Sequence, residues 1–332
     1  MIRKSVKRFS EKIMPKQSGA PLRHRTLIAA LVALALLPAG VSEAGWFSNL
    51  FKGKDSKQES AHKPAPSRPA APSKPNIADK PVVEKPAAEK PAQPAAATCD
   101  PAKLRIAVDV GHTKQSDGAM SARDVPEYDF NLNLARKVAE KLKSEGFAGT
   151  KLLITEGRAR PSLIRRVASA NGMKADLFLS IHHDSVPDKF KERWEFEGRK
   201  LEYSDRFSGY SLFVSKENPS FETSFRLARL IGRELKGKGL KYADQYALPI
   251  MGRYRHDLLD KDVGIYRYDN LVVLMRTGMP AVLLEAGSII NRDEEVQMAS
   301  PERQDLTAGA VAAAFRKFCG VEPGTVVSDK KN

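Results

Sequence analysis

Between residues 104 and 318 short apolar runs alternate with segments of helical period, and three of the runs stop abruptly on an imidazole or a carboxylate. Leu104-Arg-Ile-Ala-Val-Asp-Val110 leads into Gly111-His112, Leu177-Phe-Leu-Ser-Ile181 into His182-His183-Asp184, and Ala281-Val-Leu-Leu284 into Glu285-Ala-Gly287. Short, nearly continuous apolar runs of this kind read as strands buried on both faces, as in a parallel sheet covered by helices. Lys151-Leu-Leu-Ile-Thr155 and Tyr210-Ser-Leu-Phe-Val214 add further strand character. Phe130, Leu134, Val138 and Leu142 recur every four positions until Gly146 stops the helix. Helical segments are also read over 161–171, 221–235, 293–298 and 302–318. The alternation predicts an α/β fold, a three-layer twisted, mostly parallel sheet with helices on both faces. Leu271-Val-Val-Leu-Met275 is one more apolar run, whereas 240–268 follows no clear period. His256, among Arg253, Tyr254, Arg255 and Asp257, reads as surface structure.

In open α/β sheets ligands bind at the carboxyl ends of the strands, where His112, His182 and Glu285 are expected to fall. Glu127 opens the helix that follows the first strand and would face the same edge. Each has a plain structural reading: a hydrogen-bonded core imidazole for the histidines, a dipole-complementing carboxylate for Glu127. Taken together, two imidazoles and a carboxylate make the three-ligand set of a catalytic zinc site with a fourth position left for water. The remaining carboxylate is then the natural base. His183 should point away from His182, because side chains alternate along a strand.

The first 98 residues differ in kind. Residues 1–44 combine a long basic head, an apolar body at Leu27-Ile-Ala-Ala-Leu-Val-Ala-Leu-Ala-Leu-Leu37 and small residues up to Ala44, which reads as a cleaved signal peptide. The apolar body is shorter than the ~20 residues a spanning helix needs, so membrane attachment would require the signal to stay uncleaved. Residues 45–98, dominated by Pro, Ala and Lys, read as a disordered linker, because they hold too few apolar side chains to offset the entropy of ordering. A single catalytic domain is expected over 99–320, followed by a flexible tail over 321–332. Of the net charge of +15, roughly +6 falls in 1–44, +4 in 45–98 and only about +5 beyond. No basic, aromatic-rich motif of the RNA-binding kind is present, so nucleic acid is set aside as a partner. Cys99 and Cys319 flank the domain almost end to end, a placement that allows one disulfide in an exported protein. Spacing alone leaves open whether it forms.

The motifs carry a resemblance to the zinc-dependent N-acetylmuramoyl-L-alanine amidases of the amidase 3 type. Val108-Asp-Val-Gly-His112 is similar to the family's first histidine motif, and Glu127 before Asn131-Leu-Asn-Leu-Ala135 to its glutamate-then-helix segment. Arg165 or Arg166, with Ala170-Asn171 and Ala175-Asp176, resembles the approach to the second histidine motif, Ser180-Ile-His182. Met279-Pro-Ala-Val-Leu-Leu-Glu285 with Gly287 and Ile290-Asn291 resembles the block carrying the catalytic glutamate. The resemblance covers roughly 102–318. It implies Zn2+ as cofactor with His112, Glu127 and His182 as metal ligands, Glu285 as catalytic base and later acid, and peptidoglycan as substrate. The bond expected to break is the amide between the lactyl group of N-acetylmuramic acid and L-alanine, outside the cytoplasm, in the periplasm or cell wall.

The sequence departs from the family at His183-Asp184, where a small residue and Asn are usual, and at Ser288, where Phe is common. His183 can be a transition-state helper, a group that orients a ligand from behind, or a ligand itself; the orienting role is favoured here. Some members carry an inserted helix that blocks the metal until an activator protein displaces it. Here the charged segment 188–205 offers Glu192, Glu195 and Glu197 as occluding groups, with a solvated loop the simpler reading. A catalytically silent wall-binding or scaffold protein and a zinc peptidase acting on the stem peptide are the competing functions. The first need not keep all four site residues, and the His-Glu-x-x-His helix common in zinc peptidases is absent.

Overall fold

The central strands are built from the runs that end on site residues. The structure, a computed structural model, describes residues 99–321, so the signal peptide over 1–44, the linker over 45–98 and nearly all of the tail lie outside the described residues. In chain order the strands are β1 (Ile106–Val110), β2 (Lys151–Leu153), β3 (Leu177–Asp184), β4 (Glu192–Phe196), β5 (Arg199–Tyr203), β6 (Ser211–Val214), β7 (Leu258–Asp260), β8 (Ile265–Arg267) and β9 (Ala281–Ser288). The helices are α1 (Glu127–Ser144), α2 (Ala159–Gly172), α3 (Phe221–Gly237), α4 (Val272–Met275), α5 (Arg292–Met298) and α6 (Pro301–Phe318). Seven strands form one sheet in the order β2-β1-β3-β9-β6-β8-β7. Pairing is parallel from β2 through β9 and again between β6 and β8, and antiparallel at β6–β9 and β7–β8. The result is a mixed, mostly parallel sheet with helices on both sides.

Strand alternation divides the core. Ile106, Val108, Val110, Leu177, Leu179 and Ile181 pack on one face with Leu134, Val138 and Leu142 of α1, Leu227 and Ile231 of α3, and Val311 and Phe315 of α6. Ala107, Phe178, Phe213 and Leu283 pack on the other with Leu163 of α2 and Val273 and Leu274 of α4. Both long central strands, β3 and β9, are buried along their whole length. Two helices begin with side-chain caps: Asn291 accepts from the backbone of Asp293 and Glu294, and Ser300 from that of Arg303.

Three segments differ from their reading in the sequence. The apolar run 271–275 contains the single-turn helix α4, not an extended strand. Segment 240–268 supplies two 3-10 turns, Gln245–Ala247 and Pro249–Tyr254, and the short strands β7 and β8 that widen the sheet. Charged segment 188–205 is a 3-10 turn, Asp188–Phe190, followed by the β4–β5 hairpin: it is largely exposed, as a solvated segment should be, but ordered into strands rather than a loop, and it forms no occluding helix. The hairpin turns at Glu197-Gly198, both with positive φ, and its Trp194 stacks on Phe196 and donates to the Ala122 carbonyl at 3.1 Å.

Cys99 and Cys319 are joined by a disulfide across a sequence separation of 220 residues, tying the start of the domain to the end of α6. Closing so long a loop restricts the unfolded chain. Serine at both positions is therefore expected to lower the unfolding free energy by about 2–4 kcal/mol, read from the urea midpoint. An unchanged midpoint would contradict it.

Candidate active site

Parallel pairing places His182 of β3 directly beside Glu285 of β9. On the other side of β3, Val110 pairs with Ile181, so the residues after β1, Gly111 and His112, emerge at the same edge. Glu127 reaches this edge from the first turn of α1. Its carboxylate, which could merely have complemented the helix dipole, turns into the site instead. Oε2 lies 3.0 Å from His112 Nε2, and Oε1 lies 3.0 Å from His182 Nδ1. All three side chains are buried, and their donor atoms lie within 4.8 Å of one another. Atoms bound to one tetrahedral zinc at about 2 Å would lie roughly 3.3 Å apart, so the spacing fits a single dication.

The charge states fit as well. Burial works to raise the Glu127 carboxyl, but the two histidines, His112 foremost, hold it well below the usual carboxylate range. Burial lowers His182 to about 4 and His183 to about 3, leaving both imidazoles neutral near pH 7. A histidine depressed in the fold but ordinary in the unfolded chain, near 6.5, destabilises the fold once pH drops below 6.5. The raised carboxyls of Asp184 and Glu285 act in the opposite sense over the same range, so the rings are best read directly: in the chelator-treated domain the His182 and His183 ring-nitrogen resonances are expected to remain those of neutral imidazoles from pH 7 down to pH 5. Protonation of either ring within that range would contradict the buried neutral state.

The surroundings leave these groups little freedom. At Gly111 a Cβ would fall 2.6 Å from the His182 ring, and at Gly118, where φ is +85°, one would fall 2.4 Å from Glu127 Oε2. The Ala119 amide donates to Glu127 Oε2 at 3.1 Å. His112 has a φ of 65°, unusual for a residue with a side chain. Its carbonyl accepts from the guanidinium of fully buried Arg166, which also faces Asp109 at 3.7 Å. Arg165, the neighbour that the sequence could not separate from Arg166, is bonded instead to the Glu156 carbonyl.

His183 stands outside the cluster. Its Nδ1 is 2.8 Å from Asn131 Oδ1, and Asn131 Nδ2 in turn donates to Glu127 Oε1 at 3.1 Å and to the Gly111 carbonyl at 3.2 Å. The relay touches Glu127 from behind, as the orienting role requires. Glu285 is buried at the wall of a cavity of about 160 Å³ that His112, Glu127 and His182 also line, and its Oε2 has no hydrogen-bond partner. Burial, reinforced by Asp184 and Glu127, raises its carboxyl well above the usual range. Glu192, Glu195 and Glu197 line neither this cavity nor the histidine-glutamate cluster, and Glu192 is bonded to Tyr203 at 2.9 Å.

A family model described as N-acetylmuramoyl-L-alanine amidase, amidase 3, matches residues 106–317. The chain belongs to this family. A putative N-acetylmuramoyl-L-alanine amidase of Buchnera aphidicola is 23% identical over 224 residues, covering 64% of this chain and 95% of the relative. The amidase AmiC of Escherichia coli is 25% identical over 235 residues, covering 64% and 52%. The crystal structure of the amidase Ami1 from Mycobacterium smegmatis shares the fold, with a TM-score of 0.50 at 19% identity over 67% of this chain and 99% of that one.

Within this amidase fold, several residues of the cavity escaped the sequence. Tyr246, Tyr268 and His256 line it, and His256 is no plain surface residue: its ring lies 4.6 Å from Tyr268 and 5.2 Å from Phe213, with Nδ1 3.1 Å from the Arg267 carbonyl. The run Tyr-Arg-Tyr at 266–268 alternates as a strand should, but three residues are too few to set a period.

Proposed function

We propose that the chain hydrolyses the amide between the lactyl group of N-acetylmuramic acid and L-alanine in peptidoglycan, with zinc held by His112, Glu127 and His182. The observation that carries this reading is the convergence of these three residues and Glu285, drawn from four distant segments, on one cavity within a chain of the amidase family. Zinc bound there would lower the pKa of its water to about 7 and polarise the scissile carbonyl. Glu285 supplies the proton transfers. Its carboxylate takes a proton from the attacking water as the new C–O bond forms, then returns it to the nitrogen, so that the C–N bond breaks and the neutral amine departs. The low-dielectric wall around Glu285 favours uptake of that proton. Arg166 and Asn131 hold His112 and Glu127 in place throughout.

Residues 99–320 act in this reading as the catalytic domain, exported by 1–44 and spaced from its point of release by 45–98. Incubating the purified chain with peptidoglycan and sequencing the soluble fragments by mass spectrometry tests the assignment. Free stem peptides beginning with L-alanine are expected. Fragments cut within the stem peptide would make the protein a peptidase, and no release at all would leave a wall-binding protein.

A further inference from the structure

Asp184 and Tyr246 play no part in the scheme above, yet they form a built feature next to its base. Asp184 lies two residues beyond His182 on β3, across an irregularity in the β3–β9 register, and lines the same cavity. Glu285 stands beside His182 in register. The Tyr246 hydroxyl lies 2.5 and 2.6 Å from the two oxygens of buried Asp184. Its ring is wedged edge-on against Phe213, His256 and Tyr266, with centroids 5.6 to 5.8 Å away. A hydroxyl centred on a carboxylate spends its one hydrogen there. What it can still offer the cavity is an acceptor lone pair.

We propose that Tyr246 is a specificity-determining residue that accepts the N–H of the scissile amide, making its side of the cavity the leaving-amine side. The inference rests on the amidase reading. An amide to be cleaved has one donor, its N–H, and the nitrogen must lie within reach of Glu285 to receive the proton. Tyr246 lines the same cavity as Glu285, and its remaining lone pair is the acceptor assigned here to that donor. As the C–N bond breaks and the nitrogen gains a proton, the hydrogen bond to Tyr246 becomes charge-assisted. The contact therefore strengthens toward the transition state and acts on kcat.

The test compares a muropeptide amide with the ester analogue in which oxygen replaces the scissile N–H, using the zinc-loaded full chain and its Tyr246→Phe variant. The variant is expected to lose about 10-fold in kcat on the amide and less than about 2-fold on the ester. The ester rate doubles as a check that the site is intact. An equal fall on both substrates, or none on either, overturns the role of Tyr246 while leaving the amidase reading standing. Failure of the unaltered chain to cleave either substrate overturns that reading and this inference with it.

Discussion

Glutamine in place of Glu285 is expected to lower kcat on the muramoyl–alanine amide by about 10²- to 10⁴-fold, with zinc content and thermal midpoint unchanged. Glu285 is buried, its Oε2 has no hydrogen-bond partner, and it lies outside the histidine-glutamate cluster, so the amide isostere removes proton transfer and little else. Stability should hold or rise slightly, because an unpaired buried carboxyl is replaced by a group that carries no charge. Steady-state rates alongside metal analysis decide it. A variant that keeps full activity would assign the base elsewhere, and one that loses its zinc would make Glu285 a ligand.

Alanine at His182 is expected to have an effect at least as large by a different route. The substitution removes one of three donor atoms and leaves Glu127 Oε1 without its imidazole partner at 3.0 Å. Zinc occupancy and hydrolysis should fall together, and excess zinc should restore part of both. Alanine at His183 should behave otherwise. That imidazole reaches Glu127 only through Asn131, so metal affinity should weaken about 10- to 100-fold while activity at saturating zinc is retained. Competition with a chelating dye measures both. Equal losses at His182 and His183 would contradict the division between a ligand and a group that orients one.

Much of this arrangement was legible in the sequence because strand ends are legible. Apolar runs fix where β1, β3 and β9 lie, and a parallel sheet brings their carboxyl ends to one edge, so His112, His182 and Glu285 could be placed together before any coordinates. Glu127 was readable as the first residue of an amphipathic helix, though its turn away from the helix dipole was not. Tyr246 was invisible for a physical reason: it is held by 3-10 turns and three-residue strands, where neither period 2 nor period 3.6 runs long enough to register. The β4–β5 hairpin was hidden by its charges. Trp194, Phe196, Leu201 and Tyr203 alternate on one face, but Glu and Lys between them mimic a solvated loop. The disulfide depends on the approach of Cys99 to Cys319, with Cα atoms 4.6 Å apart, which only the closed fold supplies.

The proposed chemistry requires one dication shared by His112, Glu127 and His182. Zinc titrated into the chelated full chain, with hydrolysis followed at each addition, should restore activity linearly and level off at one equivalent, while the Glu127→Ala chain stays inactive throughout. Undiminished hydrolysis in the chelated chain, with metal analysis showing no zinc left, would contradict it.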